Sequence, residues 1–104
     1  MVQFQNVNQQ EFQNKSTEEN VEIIDVRTPL EVGEGYIKGA QHFFDVNDFE
    51  FTDKIDALDK NKTYLVYCRS GVRSVKACIY MYDAGFQSLF NLEGGITSWT
   101  GDKS

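Results

Sequence analysis

The chain has 104 residues, 40% of them hydrophobic, and a formal net charge of −6. That length fits one domain with a core that needs no disulfide or metal staple, and the apolar content excludes a disordered chain. The acidic balance argues against nucleic-acid binding, which needs a basic face, and no apolar run approaches the roughly 18 residues of a membrane span.

Residues 1–6 lack the basic region and apolar run of a signal peptide. This points to a cytoplasmic protein, although a processed, exported form given a new Met1 would begin the same way. Val2–Phe4 is expected as a short strand, and Asn8 as the cap of a helix over Gln9–Asn14. Val21–Val26 is apolar and β-branched and reads as a buried strand. Thr28, Pro29 and Glu31 form a helix start: a cap, a proline at the first helical position and the far end of a capping box. Gly33 and Gly35 limit that helix to about two turns. Gly39–Phe44 reads as another strand, and Thr52–Leu58 as a short helix with Ile55 and Leu58 inward.

After the polar turn Asp59–Lys62, Thr63–Tyr67 is an unbroken run of strand formers, as suits a parallel strand covered on both faces. Cys68-Arg69-Ser70-Gly71-Val72-Arg73 follows, then a helix from Ser74 to about Ala84. Val75, Cys78, Ile79 and Tyr82 are expected on its inner face, and Gly85 ends it. Ser88–Leu92 is the last strand, and Gly94-Gly95 opens a short helix that holds Trp99. There is no repeat, low-complexity tract or linker, so residues 1–104 are expected to form a single domain. Alternating strands and short helices predict an α/β fold with a mainly parallel sheet covered by helices on both faces.

The chemistry concentrates at Cys68. From Lys60 to Tyr82 there is no Asp or Glu but there are five cations, which leaves −11 on the rest of the chain. This is either a chance fluctuation or a local field that attracts a small anion. Cys68 lies inside it, at a strand-to-helix turn. Such turns offer free N–H groups that cradle anions beyond the carboxyl end of a sheet. A free cysteine titrates near about 8.5, and a helix N-terminus or nearby arginine lowers that to roughly 3.5–7.5. Cys68 is therefore expected as a thiolate near neutral pH, with Gly71 letting the backbone curl toward it. The bland alternative is a small buried hydrophobe. Arg73 either stabilises the anion or anchors the loop, and Arg69 either meets an anionic substrate or is simply solvated.

The remaining candidates are mostly structural. Asp25 and Arg27, at a strand end, are expected to be structural, with Arg27 pairing with a carboxylate and fixing the loop; a direct catalytic role is the alternative. Cys78 is read as an inert buried thiol, with a resolving cysteine as the alternative. His42 is expected to cap or hydrogen-bond locally. Trp99 reads as a core anchor, and Tyr64, Tyr67, Tyr80 and Tyr82 as packing residues with polar tips. Cys68, Cys78 and His42 show no metal-ligand spacing, so no metal is expected. Two cysteines are too few for a disulfide scaffold.

Cys68-Arg69-Ser70-Gly71-Val72-Arg73-Ser74 resembles the active-site loop of the rhodanese family, in a version common among its single-domain members. Asp25-Val26-Arg27 is similar to the family's Asp-Val-Arg segment, Tyr36-Ile37-Lys38-Gly39-Ala40 to its His-Ile-Pro-Gly-Ala segment, and Leu92–Trp99 to its closing Gly-Gly and Trp pattern. Tyr36 and Lys38 depart from the usual His and Pro. The resemblance implies a rhodanese-like sheet of about five strands and no cofactor. It also implies sulfur transfer by double displacement. Cys68 would take sulfane sulfur from thiosulfate or a persulfide donor and pass it to cyanide, a thiol or a sulfur-carrier protein. Backbone N–H groups of Arg69, Ser70, Gly71, Val72 and Arg73 would cradle the persulfide, while Arg69 and Arg73 favour anionic substrate. Asp25, Arg27 and Ser74 would support the loop. A monomer is the default expectation. The alternatives are a non-catalytic binding or sensing module on the same fold, and a phosphatase or arsenate reductase. The interval from Cys68 to Arg73 is one residue shorter than the phosphate-enclosing loop of the last two.

Overall fold

The computed structural model describes residues 3–104. Five strands form one sheet: β1 (Gln5–Val7), β2 (Val21–Asp25), β3 (His42–Phe43), β4 (Thr63–Tyr67) and β5 (Ser88–Leu92). They are ordered β1-β5-β4-β2-β3, and every pairing is parallel. Four α-helices connect them: α1 (Gln9–Ser16), α2 (Pro29–Gly33), α3 (Phe51–Asp56) and α4 (Val72–Asp83). A short 3₁₀ helix, Gly95–Ser98, follows β5. This is the expected α/β architecture.

β4 shows why the sheet needs cover on both faces. Its residues alternate in direction. Tyr64 and Val66, with Cys68 just beyond, join Ile55, Ala77, Cys78 and Met81 in the core beneath α3 and α4. Leu65 and Tyr67 join Phe12, Leu92, Ile96 and Trp99 in a second core on the opposite face. An unbroken apolar run is what a strand with two buried faces requires. Trp99 anchors the second core, its ring set edge-to-face on Phe12 at 5.7 Å between centroids.

Several elements differ in their bounds from the sequence-based expectation: α3 runs Phe51–Asp56 rather than Thr52–Leu58, α1 extends to Ser16, and the last short helix ends at Ser98, before Trp99. The first strand lies at Gln5–Val7, past Phe4, and the Val2 end of the expected segment is outside the described residues. Only Val7 of that strand is buried, so the edge strand carries almost no apolar signal. The Gly39–Phe44 strand contracts to His42–Phe43. The fourth helix starts at Val72 rather than Ser74, and it buries Ser74, Ala77, Cys78 and Met81. Ile79 is instead 40% exposed. The helix is apolar around much of its circumference, so periodicity alone left its inner face ambiguous. Thr28 and Glu31 do form the expected capping box on α2.

Candidate active site

Cys68 is fully buried at the carboxyl end of β4, the central strand. The chain must turn there without burying bare backbone groups, and Gly71 makes this possible with φ of 101° as the N-cap of α4. The turn folds back over the sulfur. The Gly71 N–H donates to Cys68 Sγ at 3.1 Å, and the Ser74 hydroxyl lies 3.4 Å from it. Burial pushes the thiol up, but hydrogen bonds from the Ser74 side chain and from the Ser74, Gly71 and Ser70 N–H groups outweigh it, so Cys68 titrates below an ordinary cysteine. The donor ring thus comes from Ser70, Gly71 and Ser74. Val72 begins α4 and is 66% exposed.

Asn91 on β5 adjoins this ring through Ser74, and sequence reasoning missed it. It is buried, its side-chain carbonyl accepts from Ser74 Oγ, and its amide donates to Asn6 Oδ1 at 2.9 Å. A polar residue in an otherwise apolar strand was the available signal, since a buried amide needs partners.

The arginines divide their work. Arg73 makes a two-pronged pair with Glu31, at 2.7 and 2.8 Å. That pair ties the start of α4 to α2 and, with the Thr28 hydrogen bonds, holds Glu31 down at about 2. Arg27 grips Asp25, with Nη2 to Oδ2 at 2.7 Å, and donates to the Gly35 carbonyl at 2.7 Å. Tyr67 completes the group: its hydroxyl donates to Asp25 at 2.7 Å and accepts from the Ile37 N–H at 3.0 Å. Asp25 pairs with Tyr67 in the β2–β4 register, so this cluster braces the same end of the sheet as Cys68, on the opposite face.

A second brace comes from the Gly94-Gly95 turn. The Ile96 and Thr97 N–H groups donate to the Cys68 and Arg69 carbonyls, each at 3.0 Å, and the Thr97 hydroxyl adds a bond to the Arg69 carbonyl at 2.7 Å. A β-carbon at Gly95 would collide with those same two carbonyls, and φ there is 58°, so only glycine fits. Arg69 itself is exposed and borders an open pocket of about 460 Å³.

The other candidates sit apart from this chemistry. Cys78 is buried on α4, and burial together with the charge of Cys68 pushes it up to about 12, which keeps it a thiol. His42 Nε2 meets Glu22 Oε1 at 2.7 Å, beside the Lys62–Glu22 pair at 2.8 Å. Among the described residues no cluster of three or more His, Cys, Asp or Glu is placed to hold a metal. No helix there is long and apolar enough to cross a membrane.

The chain is similar to known proteins over most of its length. Residues 8–102 match the Rhodanese-like domain family. The chain is 40% identical over 85 residues to YtwF of Bacillus subtilis, covering 82% of this chain and 79% of the relative. It is 26% identical over 99 residues to the thiosulfate sulfurtransferase GlpE of Shewanella oneidensis, covering 95% of each. Among solved structures, the rhodanese-like domain protein of Staphylococcus aureus superposes with a TM-score of 0.80 at 33% identity, covering 95% of this chain and 93% of that one. With that match, the loop at Cys68 and the all-parallel five-stranded sheet, the chain belongs to the rhodanese-like domain family.

Proposed function

We propose that the protein is a sulfurtransferase in which Cys68 carries sulfur as a persulfide. One observation carries this reading: Cys68 Sγ sits among donors from Ser70, Gly71 and Ser74 that lower its pKa despite full burial. Such a ring stabilises a thiolate, and it suits a persulfide anion for the same reason. The likeness to a relative named for thiosulfate sulfurtransfer supports the choice of thiosulfate as a donor.

The first step is attack of the Cys68 thiolate on the outer sulfur of thiosulfate. A new sulfur–sulfur bond forms on Cys68, the sulfur–sulfur bond of thiosulfate breaks, and sulfite leaves with its electron pair. A low-molecular-weight persulfide reacts in the same sense and leaves as a thiolate. In the second step cyanide or a thiolate attacks the terminal sulfur and Cys68 departs as the thiolate. Charge balances in both steps and no external oxidant is needed. The loop N–H groups hold the negative charge wherever it resides, without reorganising between steps.

The test is thiocyanate formation from thiosulfate and cyanide. Turnover in the native protein, abolished in a folded Cys68→Ala variant, supports the reading. Turnover that survives this substitution contradicts it.

A further inference from the structure

We infer that Lys103, together with Arg69, forms a seat for the anionic end of the sulfur donor. This inference rests on the sulfurtransferase reading. The pocket of about 460 Å³ beside the Cys68 loop is bordered by Arg27, Glu31, Glu34, Arg69, Thr97 and Lys103. Arg27 is neutralised by Asp25, and Glu31 by Arg73. Arg69 and Lys103 enter no ion pair among the described residues, and neither does Glu34. Two uncommitted cations against one carboxylate leave the pocket net positive, on a chain whose overall charge is −6. A local field of that sign concentrates anions at a site the rest of the surface repels.

The backbone places Lys103 there. Residues 102–104 run antiparallel to residues 36–38 around an Ile37–Lys103 bridge. The Tyr36 N–H donates to the Ser104 carbonyl at 3.0 Å, the Ser104 N–H to the Tyr36 carbonyl at 2.8 Å, and the Lys38 N–H to the Asp102 carbonyl at 3.0 Å. The Asp102 carbonyl also accepts from the buried Trp99 indole at 3.1 Å. A proline at position 38 would have no N–H to give. Lys38 therefore helps hold the segment that carries Lys103 to the pocket. The pocket has the volume of a small-molecule site, larger than an inorganic oxyanion requires. Both thiosulfate and a carboxylated low-molecular-weight persulfide have the chemistry to use it.

The test measures sulfur loading onto Cys68 by intact mass, using thiosulfate and glutathione persulfide as donors. Alkylation by neutral iodoacetamide reports the thiolate itself. A solvent-exposed charge pair contributes about 0.5–1 kcal/mol, or about two- to fivefold in affinity. Lys103→Ala should raise the half-saturating donor concentration by that factor and leave alkylation unchanged, and Lys103→Arg should restore loading. Lys38→Pro should match Lys103→Ala, and Glu34→Gln should act in the opposite direction. A loss confined to one donor assigns the seat to that donor. The inference is overturned if Lys103→Ala leaves both donors unaffected, or slows alkylation as much as loading. If the native protein alkylates normally but takes sulfur from neither donor, the sulfurtransferase reading fails and this inference with it.

Discussion

Ser74 Oγ stands 3.4 Å from Cys68 Sγ and within hydrogen-bond distance of Asn91 Oδ1. A hydroxyl has one proton to donate. With Cys68 as a thiol, Ser74 can give that proton to Asn91; with Cys68 as a thiolate, the sulfur is the stronger claimant. Asn91 thus competes with the thiolate for its side-chain donor.

The competition predicts opposite effects for two neighbouring substitutions. Ser74→Ala removes the donor and should move the pH midpoint of Cys68 alkylation upward. It should also slow sulfur loading at neutral pH by about tenfold, as expected for a lost hydrogen bond to a charged group. Asn91→Leu frees the Ser74 proton for the sulfur and should move the midpoint downward, while exposed Asn6 turns to water. The pH dependence of the iodoacetamide rate reads both, and shifts in the same direction would contradict the shared-proton arrangement.

The two thiols should separate cleanly. Cys68 is held below an ordinary cysteine by its ring of donors, and Cys78 is pushed up to about 12 by burial. At any pH below the Cys68 midpoint, loading should rise with pH as thiolate forms, and it should then level off. Alkylation near neutral pH should modify Cys68 alone, as peptide mapping would show. Modification of Cys78 at a comparable rate would contradict its buried, un-ionised state.

Glu31 links α2 to α4 through Arg73, and its carboxyl lies at about 2 against an ordinary 4.5. A carboxyl depressed by folding stabilises the native state above its unfolded pKa, and that contribution is lost as pH falls through the folded value. Acid unfolding should therefore gain a component between pH 4.5 and about 2 that is missing from Glu31→Gln. At neutral pH the substitution weakens both the capping box and the ion pair, and should cost about 1–2 kcal/mol in denaturant unfolding.

Gly95→Ala tests the brace under the loop. The new β-carbon meets the Cys68 and Arg69 carbonyls, at a backbone φ of 58°. Overpacking and a left-handed non-glycine residue together should cost about 2–4 kcal/mol. A thermal melt should show the loss, and sulfur loading should fall because the carbonyls that move belong to the Cys68 turn. An unchanged melting temperature would contradict the tight approach.

Sequence was a good guide to local chemistry and a poor one to tertiary partners. β4 is found over Thr63–Tyr67 as expected, because an apolar run bounded by a polar turn and a glycine-bearing loop admits few other structures. The Cys68 turn was legible for the same reason, as was the capping box on α2. Glu31 was read only as half of that box, however, and its pairing with Arg73 spans 42 residues. Asn91 was one position in a strand until the fold set it under Ser74. Lys103 lay beyond the last recognisable motif, and only the bridge to Ile37 carries it to the pocket. The inner face of α4 also had to be decided by packing, because Val75, Ile79 and Tyr82 made an apolar stripe as convincing as the Ala77, Cys78 and Met81 one that is buried.

The central claim is that sulfur resides on Cys68 between two half-reactions. Intact-mass spectrometry after incubation with thiosulfate, and again after adding cyanide or a thiol, tests it most directly. The account predicts a gain of one sulfur atom, mapped to Cys68, that disappears when the acceptor is added. No gain with thiosulfate or with a polysulfide donor, in folded protein whose Cys68 alkylates freely, would contradict it and favour a binding module on the same fold.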